Sequence, residues 1–327
     1  MERVVITNLQ SSEYEHPLDK VALETLKKIP LLPKVLDLCD VPFNSIRRME
    51  LLGSNLRITE RQMPTLYTIM RETCDVLEVE EPLFYLISAG SRNAYTACPD
   101  KPIVCVDGTL VDILDNNELR FVIGHELAHI KSQHITYQSL GTLLADNLIG
   151  SILGTVPGLG TLSGPTIMAL DYAYYEWYRA AEHSCDRGGY LACQNLTAAC
   201  KALMKLAGAS ERLVNEMNLD EFIAQSKDFQ ESSSSNLGMA QKIILSRGRS
   251  HPWSVSRVHS LIKFDESGAY ADILARKTPV KELSETTPAM EAPEASAEGG
   301  AVDKAKDVAK GALSGLSKGF GKFGKKE

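Results

Sequence analysis

The sequence predicts an α+β protein that is mainly helical and carries a small antiparallel or mixed sheet. Three short runs rich in Tyr, Ile, Val and Phe, at residues 83 to 88, 91 to 97 and 103 to 106, are separated by turn residues, which is typical of strands. The segments that follow them carry apolar residues at helical spacing instead. Strands that precede helices, rather than alternating with them, predict the α+β class.

The other elements follow from the same patterns. Residues 1 to 57 are predicted to be an irregular lead with one short helix near Leu18 to Lys28, and residues 59 to 77 are predicted to be a helix. Further helices are expected at residues 116 to 136, 166 to 195, 196 to 208, 211 to 227, 237 to 247 and 253 to 264.

Residues 125 to 129 read His-Glu-Leu-Ala-His within the helix predicted at 116 to 136. Residues i and i+4 share one helical face, so His125 and His129 can reach one metal ion, while Glu126 is placed to act on a metal-bound water. Asp115 and Glu118 upstream have the spacing of a capping box, which supports a helix here. The motif predicts a hydrolytic metal site, but it is only moderately specific and needs a third ligand.

A candidate third ligand lies about fifty residues further on, where Glu182 and Asp186 are again i and i+4 on a predicted helix. Zinc in a hydrolytic site takes three protein ligands, and two His with one Glu is a standard set. Asp186, one turn on, can accept a hydrogen bond from the far nitrogen of His125 and fix its tautomer. The alternative is that both carboxylates only solvate a surface helix.

A third cluster, His-Pro-Trp-Ser-Val-Ser-Arg, occupies residues 251 to 257. Pro252 can start a helix at its first turn, which puts His251 at the helix entry and Arg257 nearly two turns along it. Such groups can hold a developing oxyanion. The alternative is a helix start with Trp253 in the core.

Together these elements resemble metallopeptidase family forty-eight, the gluzincins that include HtpX and the CAAX prenyl endopeptidases. The resemblance rests on the order and spacing of the motifs at 125 to 129, 182 to 186 and 251 to 257, preceded by a strand with Asn93 and Ala94. It covers roughly residues 60 to 265. Where family members usually carry Ala before the Asp of the second motif, this chain carries Cys185.

The resemblance implies a mainly helical zincin-type domain whose small sheet lies beside the active-site cleft, with one zinc ion per chain. The implied zinc ligands are His125, His129 and Glu182. The resemblance makes Glu126 the general base, turns His251 and Arg257 towards the transition state, and lets Asn93 and Ala94 bind substrate backbone by strand addition.

The expected function is therefore a zinc-dependent endopeptidase that cuts peptide bonds in unfolded or damaged proteins. One alternative is a non-catalytic, chaperone-like adaptor that keeps zinc for stability, although no defect in the acid-base apparatus is visible. A second alternative is an aminopeptidase, which shares the motif but needs an acidic anchor for the substrate amine. No Gly-x-Met-Glu-Asn-like segment is found upstream of the motif.

The composition sets limits on the setting of this site. With 327 residues, of which 44% are hydrophobic, the chain can form one catalytic domain with extensions. The net charge of -7 argues against nucleic acid as a partner. Seven scattered cysteines without Cys-x-x-Cys spacing suit a reducing compartment, and the first residues lack signal-peptide architecture, so a cytoplasmic location is expected. Nothing indicates an oligomeric state.

Two segments raise the question of a membrane. Residues 147 to 170 carry no charge and are long enough to cross a bilayer, but five glycines and two prolines favour a buried or cleft-lining loop. Residues 301 to 327 carry seven lysines and apolar residues at helical spacing, which fits peripheral binding to an anionic membrane or, given the glycines, a solvated tail.

The expected domains are a lead (1 to 57), a metallopeptidase domain (58 to 278), a disordered linker (279 to 300) and this tail.

Overall fold

The computed structural model describes residues 3–28, 32–88, 90, 93–137, 140–141, 164–233 and 252–276, with backbone alone at 33–35, 37–43 and 164–168. Within these residues the α-helices are α1 (Pro17–Lys27), α2 (Leu32–Ser54), α3 (Pro64–Leu77), α4 (Gly108–Ile113), α5 (Asn116–Lys131), α6 (Gly164–Cys193), α7 (Leu196–Gly208), α8 (Leu219–Ser233), α9 (Ser254–Glu266) and α10 (Ala269–Ala275). Short 3-10 turns lie at Ser11–Glu13 and Val214–Glu216.

The sheet has four strands, which are β1 (Leu56–Ile58), β2 (Leu83–Ile87), β3 (Ala94–Ala97) and β4 (Ile103–Asp107). Their order is β1-β2-β4-β3, with β2 and β4 parallel and the other two pairs antiparallel. All five residues of β4 are buried, and β3 lies at the edge of the sheet among the described residues. The prediction of a mainly helical α+β fold with a small mixed sheet is therefore confirmed.

The N-terminal lead is more ordered than the sequence predicts, because α2 and β1 occupy residues predicted to be irregular. Helix α2 contains Pro42 in its interior, where proline normally breaks a helix, whereas Pro33 lies in the first turn, where proline is tolerated. Its apolar residues Ile46, Met49 and Leu52 are also more than 60% exposed, which blurs the amphipathic pattern. Strand β1 is specified by its pairing with β2 rather than by a local pattern.

Other boundaries differ by a few residues. The helix predicted from residue 59 starts at Pro64, and the helix predicted at 211 to 227 is α8, after the 3-10 turn at Val214–Glu216. The helix predicted at 237 to 247, the linker and tail at 279 to 327, and most of the uncharged segment at 147 to 170 lie outside the described residues. No helix in the described part of the chain combines the length and hydropathy that a membrane crossing requires.

Helices α5 and α6 pack so closely that glycine is required where they touch. A Cβ added to Gly124 on α5 would lie 2.3 Å from the Cβ of Ala192, and one added to Gly189 on α6 would lie 2.5 Å from the carbonyl oxygen of Phe121. Such distances are far inside van der Waals contact. The absence of these side chains lets α6 bring its polar face against the motif on α5.

The start of α5 is fixed by the predicted capping box. The Asp115 carboxylate accepts hydrogen bonds from the backbone N–H groups of Asn117 and Glu118, and the Glu118 carboxylate accepts one from the Asp115 N–H. Glu118 is buried and also pairs with Lys205 of α7 at 2.6 Å. The capping box fixes the residue at which α5 begins, and the pair with Lys205 ties that end of α5 to α7. The position of α5 against its neighbours is therefore set before the motif begins.

Candidate metal centre

Two helices bring the three predicted ligands together. Helix α5 carries His125 and His129, and α6 carries Glu182, with side chains that are 5%, 2% and 0% exposed. The Nε2 atom of His125 lies 3.5 Å from Glu182 Oε2, and the Nε2 atom of His129 lies 3.4 Å from Glu182 Oε1. The potential ligand atoms of the three residues all lie within 4.8 Å of one another.

These separations fit a metal ion. Atoms at the corners of a tetrahedron, each about 2.0–2.1 Å from zinc, are about 3.4 Å apart. The two separations, 3.4 and 3.5 Å, each end on a different oxygen of Glu182 and are close to that edge length, and the two-histidine, one-carboxylate set is one that zinc accepts. His125, His129 and Glu182 therefore form a group that could hold a metal ion, and their role as metal ligands stays a prediction.

His125 is oriented from behind by Asp186, one turn beyond Glu182. Its Nδ1 atom lies 3.0 Å from Asp186 Oδ1, so the tautomer with a proton on Nδ1 donates to Asp186 and turns the Nε2 lone pair towards Glu182. Burial alone raises the pKa of Asp186, but the Arg257 guanidinium beside it outweighs burial and lowers the pKa to about 2. Asp186 is therefore an ionised acceptor at neutral pH.

Arg257 makes its hydrogen bonds to Asp186, from Nε to Oδ2 at 2.8 Å and from an Nη atom to Oδ1 at 2.6 Å. Two parallel bonds between a guanidinium and a carboxylate are a strong, directional arrangement. The same Nη atom lies 3.9 Å from Glu182 Oε2. These contacts hold Asp186 in place, and the expectation that Arg257 faces the transition state stays a prediction. His251 lies outside the described residues.

The two histidines differ in their affinity for protons. Burial alone lowers the pKa of His125, but the carboxylates of Glu182 and Asp186 outweigh it and raise the pKa to about 10. Burial dominates at His129 and lowers its pKa. Because a metal binds only a deprotonated nitrogen, a metal ion bound through His125 would have to displace a proton that these carboxylates favour.

The predicted general base, Glu126, contacts a residue that sequence reasoning missed. The hydroxyl of Thr96, on β3, lies 2.8 Å from Glu126 Oε2 and 3.0 Å from the Glu126 carbonyl oxygen, and it can donate to either. Side chains alternate along a strand, so Thr96 shares a face with Ala94, which the resemblance assigns to the cleft. That alternation is the signal that could have identified Thr96.

Asn93 and Ala94 lie where β3 begins. Ala94 is buried and pairs with Val106 of β4, while Asn93 is exposed and its carbonyl oxygen accepts a hydrogen bond from the Asp107 N–H. The other side of β3 faces no strand among the described residues. This edge is compatible with an added peptide strand, and the role of Asn93 and Ala94 in binding substrate stays a prediction.

A second buried polar group lies behind His129 and was also missed. His134 Nδ1 lies 3.3 Å from His129 Nδ1, and His134 Nε2 lies 3.1 Å from the carboxylate of Asp19 in α1. The thiol of Cys185 lies 3.5 Å from His134 Nδ1. A histidine five residues after the motif was a visible signal, whereas no local pattern connects Asp19 to the site.

Comparisons with known proteins agree with this geometry. A family model described as "Peptidase family M48" matches residues 60 to 264. The chain is 29% identical over 276 residues to "Plastoglobule-localized metallopeptidase 48, chloroplastic" of Arabidopsis thaliana, an alignment that covers 84% of this chain and 78% of the relative.

Shorter matches include "Protease HtpX homolog" of Thermodesulfovibrio yellowstonii, at 34% identity over 27% of this chain and 32% of the relative. A protein of the same name from Streptococcus mutans is 30% identical over 36% of this chain and 41% of the relative. The chain thus aligns with less than half of the length of these HtpX homologues. No solved structure matches the chain significantly. With the family model covering most of the chain, including the buried His-His-Glu cluster, the protein belongs to peptidase family M48 and is a metallopeptidase.

Proposed function

We propose that the protein is a zinc-dependent endopeptidase that hydrolyses peptide bonds in unfolded or damaged proteins, with one zinc ion per chain. The observation that supports this proposal most directly is the buried set of His125, His129 and Glu182, whose potential ligand atoms lie within 4.8 Å of one another, with Glu126 between the two histidines on α5. Zinc bound there would lower the pKa of a water and polarise the peptide carbonyl.

Glu126 supplies the acid-base step in this proposal. Its carboxylate takes a proton from the attacking water and passes it to the leaving amine, which is the work of a general base and then a general acid. The Thr96 hydroxyl, 2.8 Å from Glu126 Oε2, donates a hydrogen bond that limits the rotation of the carboxylate. The side chain of Glu126 is only 6% exposed, so few waters compete for it.

Substrate binding follows from the edge of the sheet. An extended peptide would add to β3 next to Asn93 and Ala94, and main-chain hydrogen bonds would hold it with little dependence on side chains. Only an unfolded or locally opened segment can add in this way, which supports unfolded or damaged protein as the substrate class. His251 and Arg257 are proposed to hold the oxyanion that forms at the scissile carbonyl.

The setting of the enzyme is part of the proposal. The six cysteines whose side chains the structure describes are buried and form no disulfide, which supports the reducing environment of the cytoplasm. The match at residues 60 to 264 supports a catalytic domain at 58 to 278.

Peripheral membrane binding through residues 301 to 327 is tested by deleting residues 290 to 327 and measuring co-sedimentation with anionic liposomes. Unchanged pelleting would reject it.

The central experiment measures zinc content and casein cleavage for wild type, Glu126→Gln and the control Glu266→Gln, whose carboxylate is exposed on α9. We expect one zinc in all three proteins and a loss of turnover of about 10²–10⁴-fold in Glu126→Gln alone, because the acid-base group is removed. Normal cleavage by Glu126→Gln would reject its role. Zinc without cleavage in wild type would favour the adaptor.

A blocked peptide separates the two peptidase classes. An endopeptidase cuts inside a peptide whose N-terminus is acetylated, whereas an aminopeptidase needs the free amine. Internal cleavage of the acetylated peptide is the expected result, and release of single residues from unblocked peptides alone would contradict the proposal.

A further inference from the structure

The buried group behind His129 has a consistent direction of hydrogen bonding. His129 turns Nε2 towards Glu182 at 3.4 Å, so a His129 that binds metal through Nε2 carries its proton on Nδ1. The acceptor within reach of that proton is Nδ1 of His134, at 3.3 Å. His134 must then carry its own proton on Nε2, which faces Asp19 Oδ2 at 3.1 Å. Each donor in this series meets an acceptor.

Asp19 is built to end such a series. It lies in the first turn of α1, is 2% exposed, and accepts further hydrogen bonds from the Ser184 hydroxyl at 2.6 Å and the Trp177 indole N–H at 3.1 Å. Burial alone raises the pKa of Asp19, but these bonds and His134 outweigh it and lower the pKa. An ionised carboxylate only accepts hydrogen bonds, so it fixes the direction of the whole series.

The backbone before α1 is tied to the same point. The Ser184 hydroxyl that donates to Asp19 also accepts a hydrogen bond from the backbone N–H of His16 at 2.8 Å. Ser184 lies on α6, two residues after Glu182. The helix that carries the third metal ligand therefore also fixes the entry and first turn of α1.

We propose that Asp19, acting through His134, is a positioning residue for the metal ligand His129, so that the N-terminal helix α1 completes the metal centre. This inference rests on the proposed zinc site and extends it, because Asp19 lies outside the segment at 60 to 264 that matches the family. Carboxylates that fix a metal-bound imidazole raise its basicity and hold its ring orientation.

The same residues invite another interpretation, since potential ligand atoms of His129, His134 and Cys185 lie within 4.8 Å of one another. If a second ion were bound there together with zinc, His129 would have to bind one ion through each of its two ring nitrogens. The hydrogen-bonded series satisfies both histidines with one proton each and needs no ion. A count of metal ions per chain separates the two interpretations.

The test measures zinc affinity by competition with a chelator for His134→Leu, Asp19→Leu and the control Glu24→Leu. Glu24 is an exposed acid on α1, so the control makes the same chemical change on the same helix away from the site. We expect zinc binding to weaken by about 10–100-fold in the first two variants and to stay unchanged in the control. Wild-type affinity in both His134→Leu and Asp19→Leu would overturn the proposal.

A double variant separates positioning from general stability. If Asp19 acts through His134, Asp19→Leu adds no further loss of zinc affinity to His134→Leu, whereas independent effects would multiply and overturn the proposal. The absorption spectrum of the cobalt-substituted proteins gives a second readout, because a reoriented His129 shifts the d–d bands and a loosened α1 alone does not. His134→Leu keeps the hydrogen bonds from Ser184 and Trp177 to Asp19, so it still tests the proposal if Asp19→Leu folds poorly.

The number of zinc ions per chain shows whether a second metal site exists and whether the proposed zinc site exists at all. Two zinc ions per chain, the second lost in Cys185→Ala, would overturn the proposal in favour of a second metal site. Wild type that binds no zinc would instead reject the proposed function itself, and the inference with it. One zinc per chain with weaker binding in both variants supports the proposal even if no substrate has been found.

Discussion

His125 and His129 lie one turn apart on α5, and different parts of the chain hold the ring nitrogen that each turns away from Glu182. The inner anchor consists of Asp186 and Arg257, and His125 contacts the Asp186 carboxylate directly. The outer anchor consists of His134 and Asp19, and here the carboxylate is reached only through the imidazole of His134. The inner anchor lies within the family-matched segment, and the outer anchor ends outside it. A metal centre can thus combine a support from the family-matched segment with one from a part of the chain outside that segment.

The largest effect is expected from breaking the inner anchor with Arg257→Met. This variant leaves the buried Asp186 carboxylate without its ion-pair partner, and removing one member of a buried pair costs about 3–5 kcal/mol. Urea unfolding of the metal-free protein measures the loss. Lys263→Met, an exposed pair on the same helix, is the control and should unfold as wild type does. Equal stability of the two variants would show that Arg257 does not hold this anchor.

A smaller effect is expected when α6, which carries Glu182 and Asp186, is displaced as a whole. Gly189→Ala places a methyl group 2.5 Å from the Phe121 carbonyl oxygen and pushes α6 away from α5, at a cost of about 1–3 kcal/mol of stability. Because Glu182 and Asp186 move with α6, zinc affinity should fall as well. Gly208→Ala, at the end of α7 with nothing within 4 Å, is the matched control. Unchanged zinc binding in Gly189→Ala would mean that the centre tolerates helix displacement.

A change at Thr96 spares both anchors and tests the chemistry alone. Thr96→Val keeps the shape of the side chain and removes the hydroxyl that donates to Glu126. We expect zinc affinity to be unchanged and kcat to fall about tenfold, which corresponds to about 1.4 kcal/mol in the barrier. Thr68→Val, exposed on α3, serves as the control. A rise in KM with unchanged kcat would place Thr96 in substrate binding instead.

The smallest effect is expected when the pH is lowered, and it concerns the stability that Asp19 of the outer anchor contributes. The pKa of Asp19 in the folded protein lies below its ordinary value of 3.8, so its contribution to stability is present above that value and is lost as pH falls through the folded pKa. Wild type should therefore exceed Asp19→Asn in stability at pH 7, and the difference should shrink below about pH 4. Urea unfolding with chelator at several pH values measures this; a constant difference would contradict it.

The sequence predicts the parts of the site that are local in the chain. His125, His129 and Glu126 follow from helical spacing, and the i, i+4 pair Glu182 and Asp186 follows from the same periodicity. The capping box before α5 and the three strands 83 to 88, 91 to 97 and 103 to 106 are local patterns too. In each case the physical cause acts within one or two turns, so a single sequence contains it.

The parts that were missed depend on contacts between distant segments. The Thr96 hydroxyl meets Glu126 only because β3 packs on α5, and Asp19 meets Trp177 across 158 residues of sequence. Helix α2 was missed because Pro42, in its interior, argues against a helix there. Patterns read along the chain contain no information on such pairings.

The distances along the chain between the two anchors have a consequence for the timing of activity during synthesis. The hydrogen bond from Ser184 to Asp19 joins residues 165 positions apart, and Arg257 lies 132 positions after His125. A nascent chain that has displayed the whole His-Glu-x-x-His motif still lacks Glu182 and Arg257, and contacts of long sequence separation form slowly. The three candidate ligands can meet only after Glu182 has left the ribosome, and the inner anchor can form only after Arg257 has, so the centre is assembled late in synthesis.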